Sequence, residues 1–406
     1  MSERAVIIGA GQAGMQGAVS LRQAGFEGDI VLLGEETAPP YQRPPLSKAY
    51  LKGELDEARL YFRPPEFFAK QNIELRLGEM ATRIDRDAKA VHTQNDSHLL
   101  YDKLLIATGA PPRRLQADGS DLKNIHYLRT LAHSDALRPV LSVKGRVVII
   151  GAGYIGLEVA AVARQAGREV TVLEMADRVL ARVASEPVSE FYEKLHRDAG
   201  VDLRLGAAVE SFVGDKSLEG VKLADGEIIE CAVALVGIGA APQASLASEA
   251  GLDVENGVVV DEHACTDDPS IWAAGDCTNF PSPRYNRRMR LESVPNAIEQ
   301  GKVAGANMAG RSLVYDALPW FWSDQYDVKL QTVGLSEGYD ELVLRGAPET
   351  KRFAVWYLKD NKPLAVDAIN DPASFAMGKR LIDLGLTVEP AALADPATDL
   401  KSLIPA

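Results

Sequence analysis

An α/β fold is predicted for this sequence: two domains of one strand–helix–strand pattern built on parallel sheets, then a small α+β domain at the C-terminus. Three observations carry the prediction. A glycine-rich turn of the form G-x-G-x-x-G stands between an apolar run and a helical pattern at residues 9–14, and again at 151–156. The two copies share the core GAGxxG and the ending QAG, at 23–25 and 165–167, which makes them an internal repeat. From Pro319 onward the pattern changes to short alternating strands with tight turns.

Taken in order, residues 5–8 (AVII) are a short β-branched run, the mark of a buried strand. Gly9, Gly11 and Gly14 follow, then a helical pattern to Gly25, then DIVLLGEE, a second buried strand ending in acid. The second copy is GRVVIIGAGYIGLEVAAVARQAG at 145–167, followed by REVTVLEMADRVL with its acid at Glu174. LLIATGAPPRRL, from Leu104, is a strand with a proline-rich break, so the first boundary falls at about 109–115. ALVGIGAAPQ, from Ala234, is a buried strand with a glycine and proline exit and closes the second domain. The stretch 258–277 (VVVDEHACTDDPSIWAAGDC) reads as strand, turn, strand without a helix, and so returns to the first domain.

The expected domains are therefore 1–112 together with 241–318, then 113–240, then 319–406. In the last, TVGL, DELVLRG, RFAVWYL and PLAVDAI are strands and KDNK is a tight turn. One helix over 372–384 stops at Gly385.

A lone glycine fingerprint is a weak signal, since plain tight turns also use glycine. Here each copy follows a strand, opens a helix and has an acid about twenty residues on, Glu35 and Glu174, which is the full Rossmann-like dinucleotide-binding fingerprint. The first two glycines allow a tight turn and close backbone approach to a pyrophosphate, and the third allows close helix–strand packing. The helix N-terminus then favours the anion. Two dinucleotides in one chain imply electron transfer between them. Glu35 and Glu174 are each expected on a ribose hydroxyl pair. A carboxylate at Glu174 repels a 2′-phosphate, which favours NADH over NADPH, and nearby Arg178 softens that preference.

The chain of 406 residues has room for two to four domains at about 100–200 residues each. A composition of 46% hydrophobic and 25% charged residues is ordinary for a soluble globular protein. The net charge of −13 argues against nucleic acid and against anionic membrane surfaces. The longest charge-free run, 231–248, is broken by Gly237, Gly239 and Pro242, so it reads as strand and loop and not as a membrane span. Cys231, Cys265 and Cys277 show no metal-binding or disulfide spacing, and no metal site is expected. Few cysteines and no signal segment fit a reducing cytoplasm.

Further stretches carry a resemblance. ATG at 107–109 and AAGDC at 273–277 are similar to the later FAD motifs of the glutathione-reductase-like flavoproteins with two dinucleotide domains. YQRPPLSKAYL at 41–51, GAGYIGLEVAA at 151–161, LESVPNAIEQG at 291–301 and PWFWSDQYD at 319–327 narrow it: the whole chain resembles the ferredoxin reductases that serve oxygenase systems. The resemblance implies that the first fingerprint (Gly9, Gly11, Ala13, Gly14, with Glu35) takes FAD and that the second (Gly151, Gly153, Tyr154, Ile155, Gly156, with Glu174) takes NADH. It further implies Arg43, Lys48, Ala81, Thr108, Gly109, Arg129, Asp276 and Val294 as FAD contacts, Trp320 beside the flavin, and Gly239 among the cofactor contacts.

The residues themselves agree. A lysine near a flavin stabilises its reduced, anionic form, and Pro44 and Pro45 limit the freedom of the segment bearing Lys48. Glu158, read in the first turn of the second fingerprint helix, pairs with Lys48 or with the nicotinamide carboxamide, or else simply suits the helix dipole. Lys48, Glu158 and Trp320 are the catalytic candidates, and Trp322 is read as core. Arg284, Arg287, Arg288 and Arg290 form either a solvated loop or a docking patch for an acidic partner.

The expected activity is that of an FAD-dependent NADH:ferredoxin oxidoreductase, a monomer or homodimer that passes single electrons to a [2Fe–2S] ferredoxin. The rivals are an NADH oxidase, peroxidase or disulfide reductase, and a redox flavoprotein like the apoptosis-inducing factors. The first group needs a reactive cysteine near the flavin, yet no cysteine precedes Cys231 and RPPLSK stands where the thiols would be.

Overall fold

The computed structural model describes residues 3–141 and 144–405. By packing, the chain divides into two units. Met1–Arg43, Glu57–Pro111 and Ala240–Ala317 form the first; Pro44–Asp56, Pro112–Gly239 and Leu318–Ala406 form the second.

The first unit is built on a five-stranded parallel sheet in the order Ile271–Ala273, Lys103–Ile106, Arg4–Ile8, Asp29–Gly34, Ile73–Leu77. Its central strand is buried on both faces, so it reads as a continuous apolar run. Ala5 and Ile7 face the fingerprint helix Gln12–Gln23 and the helix Val294–Met308, while Val6 and Ile8 face a second cluster with Ile84, Val91 and Leu99 of a three-stranded antiparallel sheet. The strand Ile271–Ala273 does return to this sheet, pairing with Lys103–Ile106.

The second unit repeats that plan. Its parallel sheet runs Asp202–Arg204, Val170–Leu173, Val147–Ile150, Val233–Val236, Ile125–His126, again with the fingerprint strand in the centre. A three-stranded antiparallel sheet (Val209–Val213, Gly220–Leu223, Ile228–Glu230) again covers one face, through Phe212, Val221 and Ile229.

The same unit holds an antiparallel sheet in the order Trp320–Gln325, Val328–Gly334, Lys362–Ile369, Arg352–Lys359, Glu341–Ala347. Asp360 and Asn361 both sit at positive φ, the geometry of a two-residue hairpin turn that matches strand twist. The helix Pro372–Asp383, capped by Asp371 on Ser374 N–H, covers the sheet through Met377, Leu381 and Ile382. The edge strand Trp320–Gln325 has no counterpart among the strands that the sequence pattern picks out. Its WFWSDQ does not alternate cleanly, because both of its faces carry side chains with partners.

Candidate functional site

In each parallel sheet the fingerprint strand is central, with the next strand of the chain on one side and a later strand on the other; that is the switch point where such sheets bind ligands, at the carboxyl ends of the strands. In the first unit, Gly9, Glu35, Thr108, Gly109 and Asp276 all lie just past strand ends on that edge. In the second unit, Gly151, Glu174 and Gly239 do the same.

The glycines test whether a dinucleotide fits. A Cβ on Gly9 would stand 2.2 Å from Ala107 O, and one on Gly14 would stand 1.9 Å from Gly9 O; the turn closes only without them. A Cβ on Gly11 would meet nothing within 4 Å. That open space lies at the N-terminus of a helix with Gly11 as N-cap and no side-chain cap, where unpaired N–H groups suit a pyrophosphate. The second fingerprint reproduces each feature: 2.4 Å from Gly151 to Gly237 O, 2.1 Å from Gly156 to Gly151 O, and open space at Gly153. The residues present therefore fit a dinucleotide in both places.

Around the first cradle, Ala13 is buried and lies against Gly275, whose added Cβ would come within 2.9 Å of it. Thr108 Oγ1 donates to Gln243 O at 2.6 Å, and Gln243 N donates to Gly109 O. Asp276 O accepts from Arg290 at 3.2 Å. Arg43 pairs with Glu36 at 2.7 Å and faces the Tyr41 ring. Burial opposes its charge, but Tyr41, Glu36 and Asp276 outweigh burial and hold the guanidinium protonated. Glu35 itself is exposed. Glu36, which sequence reasoning passed over, is the partner of Arg43. Val294 opens the helix capped by Ser293, and Ala81 begins a strand of the small antiparallel sheet, opposite Thr93.

At the second cradle, Glu174 is held from both sides. Its Oε2 accepts from Ala152 N at 2.7 Å and its Oε1 from Ala176 N at 2.9 Å. Arg178 is committed elsewhere, to Ala181 O, Ala184 O and Ser189 Oγ. Gly239 takes φ +100°, and its carbonyl accepts from Arg113 N. Ile155 is exposed and Tyr154 stacks on Phe321 at 4.6 Å.

Still within the second unit, Lys48 meets Glu158. Residues Pro44–Ser47 form a short 3₁₀ turn. The helix Leu131–Val140 holds this segment: Ser134 Oγ donates to Leu46 O, Tyr50 OH to Asp135, and the Arg138 guanidinium lies over the Tyr50 ring. Lys48 Nζ then stands 2.6 Å from Glu158 Oε2, which also accepts from Ser47 Oγ at 2.5 Å. Glu158 Oε1 accepts from Ser323 Oγ at 2.6 Å. Glu158 is not in the first turn, as its sequence spacing suggests. With Gly153 as N-cap and Tyr154 the first helical residue, it falls in the second turn, beyond the strongest reach of the dipole. Its buried charge is met by Lys48 and two hydroxyls instead.

Geometry explains how a helix and a strand converge here. Tyr154 and Glu158 are four residues apart, about 6 Å along a helix, while Phe321 and Ser323 are two apart, about 7 Å along a strand. The matched spacing sets Phe321 on Tyr154 and Ser323 on Glu158. Trp320 and Trp322 occupy the opposite face of the strand, their rings 5.5 Å apart, and Trp320 also meets Phe375. Arg129 directly precedes Thr130, the N-cap of the helix that holds residues 44–56.

Arg288 donates to Val260 O, Asn279 O and Asn279 Oδ1, and Arg290 pairs with Glu292 at 2.6 Å. Both are thus partly used inside the fold. All three thiols are held protonated. Burial pushes Cys231 up to about 12 and Cys265 to about 11, and raises Cys277 as well. Among the described residues, no group of His, Cys, Asp and Glu could hold a metal ion, and no helix is long and apolar enough to cross a membrane.

Comparison with known proteins agrees with both cradles. The pyridine nucleotide-disulphide oxidoreductase family matches residues 3–301, and a reductase C-terminal family matches 320–404. Putidaredoxin reductase of Pseudomonas putida is 46% identical over 100% of this chain and 97% of its own length. Rhodocoxin reductase of Rhodococcus erythropolis is 42% identical, over 98% and 94%. Among solved structures, the covalent putidaredoxin reductase–putidaredoxin complex matches with a TM-score of 0.96 at 45% identity, covering 99% of this chain and 98% of that one.

Proposed function

The chain belongs to the pyridine nucleotide-disulphide oxidoreductase family, and from that premise we propose that it is an FAD-dependent NADH:ferredoxin oxidoreductase supplying an oxygenase. One observation carries the reading beyond the family name. The chain has two open dinucleotide cradles and no thiol able to act as a nucleophile, since all three are pushed up by burial. Electrons cannot leave through a cysteine pair.

When bound, FAD supplies the conversion of two-electron input from NADH into one-electron output. The protein's own part is positioning and electrostatics. Gly11 and Gly153 leave room for the two pyrophosphates, and Glu174 turns a fixed carboxylate toward a ribose. Lys48, steadied by Glu158, is the cation offered to the flavin, and Trp320 is assigned to the flavin edge. The remaining contacts carried by the resemblance belong to the same reading.

The partner is a [2Fe–2S] ferredoxin. Its acidic character and a docking role for Arg284, Arg287, Arg288 and Arg290 are parts of the proposal. Arg287 and Arg288 are exposed, which supports it, although Arg288 is also bonded within the fold. Three free thiols support a reducing cytoplasm.

The test is rapid mixing of the FAD-loaded chain with NADH, followed by a panel of ferredoxins and rubredoxins. Flavin bleaching by NADH, then reduction of a ferredoxin at a steady rate, is the expected result. Rapid peroxide or disulfide reduction without ferredoxin transfer would assign the chain to the rival class.

A further inference from the structure

A line of hydrogen bonds runs away from Glu158 through residues that none of the fingerprints includes. Ser323 Oγ lies 2.6 Å from Glu158 Oε1, Gln325 Nε2 3.2 Å from Ser323 Oγ, His196 Nε2 2.8 Å from Gln325 Oε1, and Tyr326 OH 3.4 Å from His196 Nδ1. Glu158, Ser323, Gln325 and His196 are all buried, His196 and Ser323 completely.

Donor and acceptor chemistry gives the line a direction. A carboxylate only accepts, so the single Ser323 hydroxyl proton goes to Glu158. Ser323 Oγ then accepts from the Gln325 amide nitrogen, which turns the amide oxygen toward His196. An amide oxygen only accepts, so His196 carries its proton on Nε2. The bare Nδ1 is left to accept from Tyr326. Four successive donations point at one carboxylate.

The weak joint is Gln325. Its amide can turn over by half a rotation with little change in shape. Turned over, it would present oxygen to Ser323 and draw the hydroxyl proton away. One oxygen of a buried carboxylate would then lack a donor, a costly arrangement. His196 opposes this, because its Nε2–H donates and would then face the amide nitrogen, another donor, in place of the oxygen. Burial also holds the imidazole neutral, at about 4, so the ring carries one proton through the neutral range, and the hydrogen bonds around it assign that proton to Nε2.

We propose that His196 is a positioning residue: through Gln325 and Ser323 it orients the Glu158 carboxylate, and through that carboxylate the Lys48 ammonium. The proposal rests on the reading of Lys48 as the cation offered to FAD.

Two measurements test it. The first is the nitrogen NMR spectrum of the labelled, FAD-loaded chain, with His196 assigned by its loss in H196Q. Proton attachment at Nε2 is expected; attachment at Nδ1 overturns the proposal whatever the chain's activity. The second compares flavin reduction at saturating NADH in H196L and H196Q. H196L removes the donor and should slow the step, by up to about a hundredfold if the reacting groups are displaced by about 1 Å, with NADH affinity unchanged. H196Q can donate from the same place and should recover most of the rate. An unchanged rate in H196L overturns the proposal, as does equal loss in both variants. If H196L does not fold, the NMR result decides. If NADH fails to reduce the wild-type flavin at all, the functional reading fails, while the spectrum still judges the hydrogen-bond direction.

Discussion

Lys48 Nζ and Glu158 Oε2 stand 2.6 Å apart, with 17% of the lysine side chain and 3% of the glutamate exposed to solvent. A pair so enclosed is valuable chiefly because breaking it leaves a bare charge behind. Lys48→Met should therefore cost about 3 kcal/mol of stability, the usual scale for removing one partner of a buried pair. Glu158→Gln should cost less, since Ser47 and Ser323 can re-pair with an amide. The double variant should lose less than the sum of the singles, because the two residues share one interaction. Urea unfolding of the four proteins gives the cycle. If Lys48→Met and Glu158→Gln leave flavin reduction by NADH at the wild-type rate, their assigned roles are wrong.

The open spaces at Gly11 and Gly153 separate folding from binding. Both residues have ordinary φ, −83° and −79°, so alanine is not strained there. Gly11→Ala should melt like the wild-type apoprotein yet bind FAD poorly, as read from the flavin-to-protein absorbance ratio. Gly153→Ala should keep FAD and raise the KM for NADH. Gly14→Ala is the control: its Cβ would stand 1.9 Å from Gly9 O, so it should lower the melting temperature itself.

Glu174 is fixed by Ala152 and Ala176 N–H groups, and Arg178 is occupied with other acceptors. The preference for NADH should therefore depend on Glu174 alone. Glu174→Ala should cut the ratio of kcat/KM for NADH over NADPH about tenfold, the effect of about 1.4 kcal/mol. Arg178→Ala should leave that ratio unchanged.

Thiol reagents provide a further check. With Cys231 near 12 and Cys265 near 11, almost no thiolate exists at pH 7.5. Iodoacetamide at that pH should leave electron transfer intact, measured by cytochrome or ferredoxin reduction after quenching. Rapid loss of activity would restore the disulfide-reductase reading.

Burial lowers the His196 imidazole from its usual 6.5 to about 4, against the opposing pull of Gln325. The unfolded chain therefore binds this proton first. The contribution to stability is complete above about pH 6.5 and is lost as the pH falls toward 4, up to about 3 kcal/mol in all. Carboxylates titrate in part of the same range, so the comparison is with H196Q. The wild type should lose more of its urea midpoint between pH 7 and pH 5 than the variant does.

Much of the fold was legible because its signals are local. The run AVII, the glycine turn and the helix after it lie within about twenty residues, and their repeat at 147–165 confirms the period. Val258–Val259 and Ile271–Ala273 could be returned to the first domain because no helix lies between them; Ile271–Ala273 joins its parallel sheet, while Val258–Val259 pairs with Thr278–Ser282 in a small separate sheet. The edge strand Trp320–Gln325 was less legible. Its two tryptophans draw the eye to one face, while Ser323 and Gln325 on the other carry the hydrogen bonds. Glu36 was overlooked beside Glu35 for a similar reason, since only the fold brings Arg43 to it.

By itself, the sequence determined that this chain has two cradles of one design and no thiol pair beside them, because glycine spacing and missing cysteines need no partner to be read. Only the tertiary structure decided what surrounds Lys48. Glu158 is met by Ser47 from a proline-stiffened turn and by Ser323 from a distant strand, and Ser323 leads on to Gln325 and His196. None of these types announces itself in sequence. A serine or glutamine acquires meaning when a helix rise and a strand rise bring it into register with a buried charge.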